Sequence, residues 1–156
     1  MATNKLHLTD FLLKNIENEI PLVLLKEKIY ILDSFVRGFH VYMDIWDPKV
    51  GDEDILLEPE ENNEHDEFAV AVLFEGRTVG HVPRNFSKTM KLFMRLPGCS
   101  ILCKVTGKRV NRGAGYGLEI PVSYKFVGAD KAVEWVEEKI KKISEIVDKK
   151  VKKCTK

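Results

Sequence analysis

Between Ser34 and Gly128 the apolar residues come mostly in short runs with turn chemistry between them, and only one internal segment takes a helical period. This pattern constrains the fold more than any other feature, because side chains alternate across a strand but recur every three or four residues on a helix. Phe35, Phe39, Val41, Met43 and Ile45 fall at odd positions in SFVRGFHVYMDIW, which predicts a strand, with Gly38 marking a bulge or a close backbone approach. ILLE predicts a short strand. Phe68, Val70 and Val72 alternate with Ala69 and Ala71, so the next strand is expected to be covered on both faces. Glu75-Gly76 makes a hairpin turn into RTVGHV. CSILCKVTG and LEIPVSYKF are the later strands, joined by the basic, glycine-rich loop KRVNRGAGYG. The exception is PRNFSKTMKLFMRL, a helix entered at Pro83, carrying Phe86, Met90, Phe93 and Met94 and stopped by Pro97-Gly98.

The flanks read as helical. Thr9 or Asp10 can cap a short helix with Phe11, Leu12, Ile16 and Ile20 at helical spacing, stopped by Pro21. Residues 22–33 fit a second short helix or a strand equally well. From Ala129 to Lys153, Val133, Val136, Ile140, Ile143 and Val147 follow a three-four rhythm. This stripe is expected to pack on its own domain, with KKVKKCTK as a mobile basic tail. The organisation is a helical extension at 1–33, a β domain at 34–127, and an amphipathic helix with its tail at 128–156. At 156 residues this is one domain, and it reads as mainly β (α+β). Its expected form is a small, partly open OB- or SH3-like barrel of about six strands around one internal helix. Loops would cluster at one rim, the polar stretch NNEHD at 62–66 among them.

Formal net charge is only +1, but its distribution is uneven. Residues 44–67 hold eleven acids against Lys49, and residues 104–125 hold five bases against Glu119. The chain is thus polarised along its sequence. Three cysteines, Cys99, Cys103 and Cys154, form no metal-ligand cluster with histidine, and Cys99 and Cys103 read as small buried hydrophobes. The start, MATNKLHLTDF, lacks the apolar core of a signal peptide, and no run approaches the ~18 apolar residues of a membrane span. The expectation is a soluble intracellular protein of the nucleus or cytoplasm, with no membrane partner.

Catalytic readings are weak. Glu64-His65-Asp66 invites a general-base or metal role, yet catalysis needs groups converging from separate segments, and the spacing shows none. His40 and His81 lie within apparent strands. GAGYG lacks the GK[ST] and the following helix of a phosphate-binding loop. Neither an enzyme nor a cofactor or metal site is expected. The hairpin tip is more informative: Lys108, Arg109 and Arg112 can contact phosphate and Tyr116 can stack on a base, the physical requirements for binding single strands. A solvated basic hairpin accounts for the same residues.

Residues 35–126 resemble the HIRAN domain family through RGFHVY, LLEPEENNEHDEFAVAV and GRTVGHVPRNFSK, in that order. The resemblance implies an oligonucleotide-fold-like barrel at 34–127 that captures the free 3′-hydroxyl end of single-stranded DNA. The family's loop aspartate, acceptor for the terminal hydroxyl, corresponds to Asp66, and its loop asparagine to Asn63. His65 replaces the aromatic before the aspartate. In the first strand, Tyr42 keeps the second of two tyrosines, Val41 replaces the first and His40 replaces an arginine. His81 is the strand histidine after glycine, and Arg84 follows it closely. A carboxylate such as Asp66 would favour a hydroxyl and repel a 3′-phosphate. Single-stranded DNA is therefore the expected partner, with RNA as a second nucleic-acid candidate. The alternative is a protein-interaction or self-association module using the C-terminal helix on the same scaffold.

Overall fold

Ala129 and Val36 mark the two ends of the longest pairing among the described residues, between strands β1 (Glu27–Val36) and β7 (Leu118–Ala129). They run antiparallel in unbroken register from Glu27 opposite Ala129 to Val36 opposite Ile120. The computed structural model describes residues 27–113 and 115–154. The expected N-terminal helix lies outside the described residues. The undecided stretch before Ser34 is strand from Glu27 onward, so a boundary at 33/34 would cut through β1. Period two explains it: Tyr30, Leu32 and Val36 turn inward while Ile29 and Ile31 stay exposed.

β5 (Ser100–Val105) pairs the other edge of β7, from Ser100 opposite Val127 to Val105 opposite Val122. β2 (Ile55–Pro59) pairs β5 and β3 (Val70–Phe74), and β3 pairs β4 (Arg77–His81). The expected turn at Glu75-Gly76 is present. Both residues have positive φ, 50° and 77°, which matches the twist of a two-residue hairpin. A short β6 (Val110–Asn111) adds to β7 off the main path. The order is β1-β7-β5-β2-β3-β4, seven strands with β6, all antiparallel. The sheet is not closed. Its two end strands meet at a single bridge, where Arg37 and His81 exchange both backbone hydrogen bonds at 2.8 Å. This is the partly open barrel that the alternation predicted.

The internal helix is α1 (Arg84–Arg95), with Phe86, Met90 and Phe93 buried. The C-terminal helix, α2 (Asp130–Cys154), buries Val133, Val136 and Ile140 against β1, β7 and α1. Phe93 meets Phe126 edge-on at 5.2 Å in the centre of this layer. Farther along, Val147 of the expected stripe is exposed. Cys103 is buried, and desolvation pushes its thiol up to about 12, so it behaves as a packed hydrophobe. Among the described residues no helix is long and apolar enough to cross a membrane.

One predicted element is wrong. The strand expected over residues 35–45 stops at Val36. Gly38 takes φ 74°, a left-handed turn rather than a bulge, and Phe39–Tyr42 continue as a 3₁₀ helix. Phe39 and Trp46 are the buried anchors, edge to face at 5.8 Å, whereas Val41, Met43 and Ile45 are exposed. Alternation at odd positions was coincidental. The inward residues Phe39, Tyr42 and Trp46 are spaced by three and four, as a helical turn requires.

Candidate functional site

The polar loop after β2 is built by its own side chains. Asn63 Oδ1 accepts the backbone N–H groups of His65 and Asp66 at 2.9 and 3.0 Å, while Asn63 Nδ2 donates to Glu60 at 2.9 Å. Asp66 Oδ1 accepts the N–H of Phe68 at 3.0 Å. These are Asx turns, in which a short polar side chain replaces a backbone partner. α1 then fastens the loop: Arg84 donates to the His65 carbonyl and Lys91 to the Glu67 carbonyl, both at 2.8 Å. Asn63 is thereby committed to structure. Asp66 is not. Among the described residues its Oδ2 has only Ser87 Oγ, at 3.4 Å, and that single hydroxyl proton has a better acceptor in the Arg84 carbonyl at 2.9 Å.

His81, at the end of β4, sits 2.6 Å from Glu60 through Nε2. Burial raises the Glu60 carboxyl, but hydrogen bonds from Asn63 and His81 outweigh it and hold the group below its ordinary range. The loop, the strand end and the barrel-closing bridge are therefore one connected unit, since the backbone of His81 also pairs with Arg37.

A second polar unit stands beside it. Glu119 of β7 is fully buried and binds two arginines: Arg112 through Nε and Nη2 at 2.8 and 3.0 Å, and Arg37 through Nε at 3.1 Å. Burial pushes the Glu119 carboxyl up, yet the two guanidinium groups more than offset this and keep it below its ordinary value. Each arginine also lies on an aromatic ring, Arg37 at 3.9 Å over Tyr116 and Arg112 at 3.8 Å over Phe35.

Between these units opens a cleft of about 340 Å³. Its walls are Asn63, His65 and Asp66 of the loop, His81, Arg84, and Tyr116 with Arg37; Ala69, Val70 and Val82 are its apolar lining. Six residues singled out from the sequence thus converge from four segments. The other five do not line it. His40 and Tyr42 were placed on a strand that does not exist. The 3₁₀ turn instead leaves His40 exposed beside Gly117 and packs Tyr42 against the core. Lys108 is exposed, Arg109 pairs with Asp47 at 3.7 Å, and Arg112 is held by Glu119. Arg37 was missed; its signal was its place directly before Gly38, where the strand must turn. Among the described residues no group of three or more His, Cys, Asp or Glu could hold a metal ion.

A barrel with this strand order and a rim cleft of these residues defines the class, and comparison with known proteins assigns it. The chain belongs to the HIRAN domain family, whose model matches residues 29–129. Among solved structures it is similar to the crystal structure of the HIRAN domain of human HLTF, with 21% identity, a TM-score of 0.60, and coverage of 75% of this chain and 92% of that one. It is also similar to the NMR structure of the HLTF HIRAN domain in its DNA-bound conformation, with 20% identity, a TM-score of 0.53, and coverage of 76% and 93%. At this identity the likeness shows the fold. No curated protein matches the chain.

Proposed function

We propose that this chain binds DNA, and that the cleft receives the 3′-hydroxyl end of a single strand. The observation that carries the reading is Oδ2 of the half-buried Asp66, which among the described residues has no strong partner, in a cleft also lined by Arg37, Arg84 and Tyr116. A carboxylate accepts a hydrogen bond from a hydroxyl and repels a phosphate. The arginines suit the last phosphodiesters, and Tyr116 offers the ring face not covered by Arg37 to a base. The HIRAN fold, for which a DNA-bound conformation of the HLTF domain is known, supports the same assignment. A self-association role for α2 has less support, because the first half of its apolar stripe packs on its own domain.

The test is fluorescence anisotropy with single-stranded DNA ending in a 3′-hydroxyl or a 3′-phosphate, at low salt. Wild type is expected to prefer the hydroxyl. Asp66→Asn keeps an acceptor for the Phe68 N–H but replaces Oδ2 with a donor, so the preference should vanish while the loop persists. Asp66→Ala should also abolish it and cost about 1 kcal/mol of stability through the lost turn. Equal binding of both ends by wild type would remove Asp66 from the interface.

A further inference from the structure

Two grooves lead away from the cleft, and their charges differ. One, about 600 Å³, shares Asn63 with the cleft and runs past Glu58, Glu60 and Glu61 to Thr78. The other, about 330 Å³, shares Arg37 with it and lies between the end of β1, the start of α1 and the outer turns of α2. Its charged lining is Arg37 and Arg112 against Asp33 and Asp148. The first groove offers three carboxylates and no base; the second is balanced. A phosphodiester chain leaving the cleft is repelled along the first path and tolerated along the second.

The second path also carries flat surfaces. Tyr116 with Arg37, and Phe35 with Arg112, are two aromatic–guanidinium pairs joined through the single buried carboxylate of Glu119. Tyr116 stands in the cleft, Phe35 in the second groove, and Arg37 in both. Such a pair offers a stacking face for a base and N–H edges for phosphate. Arg37 engages Glu119 only through Nε, and no partner of its two Nη groups is found among the described residues. The far wall of this groove, Ser144, Val147 and Asp148, belongs to α2, beyond the family match that ends at residue 129.

Resting on the reading of the cleft as a strand-end pocket, we propose that the same DNA strand continues over Arg37 into the groove between β1, α1 and α2. That groove is a second subsite for the nucleotides preceding the end, and Arg37 is the residue that joins the two.

The test compares a trinucleotide with a nonanucleotide of thymidylate, both 5′-labelled with a free 3′-hydroxyl, binding the full chain. Asn85→Glu and Ser144→Glu add charge at the edge of the second groove. Each should weaken the nonanucleotide about fivefold or more, the lower end of one lost base stack, and leave the trinucleotide unchanged. Asp148→Lys should tighten the longer strand, a gain that a damaged fold would not produce. Thr78→Glu, in the acidic groove, should be silent. A strand responding to Thr78→Glu and not to Asn85→Glu or Ser144→Glu would overturn the path. So would equal affinity for the two lengths with every variant silent, and the cleft reading would survive that result. Failure of both oligonucleotides to bind wild type would remove cleft and track together.

Discussion

At the scale of single residues, the molecule is organised by two buried or half-buried carboxylates that do opposite jobs. Asp66 keeps an oxygen in reserve, while Glu119 has both oxygens occupied. Glu119 is fully buried, and its partners Arg37 and Arg112 remain partly open to water. Breaking a buried ion pair by removing one partner costs about 3–5 kcal/mol, but water can resolvate both arginines here, so Glu119→Ala should cost about 1–3 kcal/mol. The same residue sets a pH dependence. Its folded pKa lies below the ordinary 4.5, so its stabilisation is complete above that pH and is lost as pH falls through the depressed value. Thermal melting of wild type should therefore decline below about pH 4.5. Glu119→Gln should be less stable at neutral pH and show a shallower acid decline. An unchanged acid decline in Glu119→Gln would place the acid sensitivity elsewhere.

At the scale of elements, legibility followed the strength of the local pattern. The strands at Val70–Phe74 and Leu118–Ala129, the Glu75-Gly76 turn and α1 were readable because period and punctuation agreed. Residues 39–45 were not, because four apolar side chains alternated by chance and the deciding fact, burial of Trp46 beneath Phe74, is a tertiary contact. The close backbone approach expected at Gly38 falls at another glycine for a similar reason. Gly38 supplies a left-handed turn in open space, and the close approach is at Gly80. A methyl group at Gly80 would collide with Val36 Cγ1 and stand 2.8 Å from the Arg37 carbonyl oxygen. That carbonyl accepts the His81 N–H in the bridge joining the end strands. Gly80→Ala should cost about 1–3 kcal/mol as overpacking does, and its effect should be local. The amides of Arg37 and His81 should exchange with deuterium faster than those of the β1–β7 ladder. Uniform acceleration across both would mean that the bridge opens only with global unfolding.

At the scale of the whole molecule, folding offsets part of the sequence's most visible asymmetry. The acidic run at 44–67 and the basic run at 104–125 are brought side by side by the β2–β5 pairing, where Ile55 stands opposite Cys103. Lys104 then meets Glu53 at 3.1 Å and Arg109 meets Asp47 at 3.7 Å. Arg109 and Arg112, which looked available for phosphate, are spent on Asp47 and Glu119, and the cleft collects its cations from Arg37 and Arg84 instead. Convergence of this kind was not legible in spacing, since the cleft residues come from a loop, a strand end, a helix start and a hairpin. The resemblance to a family supplied Asn63, His65, Asp66, His81 and Arg84, and the basic hairpin supplied Tyr116; Arg37, the first residue of RGFHVY, was given no role by either and emerges only in the folded structure. A small number of cations in the cleft has a measurable consequence. Each phosphate neutralised on a single strand contributes about 0.7 to the slope of log affinity against log salt, so the slope should be shallow, near −1.4 for two contacts. Arg84→Ala should weaken binding and reduce the slope by about 0.7, while Arg84→Lys should restore the slope through its remaining charge. Arg84 also tethers the loop through the His65 carbonyl, and a purely structural role would lower affinity with no change in slope. A slope in Arg84→Ala equal to that of wild type would therefore assign Arg84 to the scaffold and leave Arg37 as the cation of the cleft.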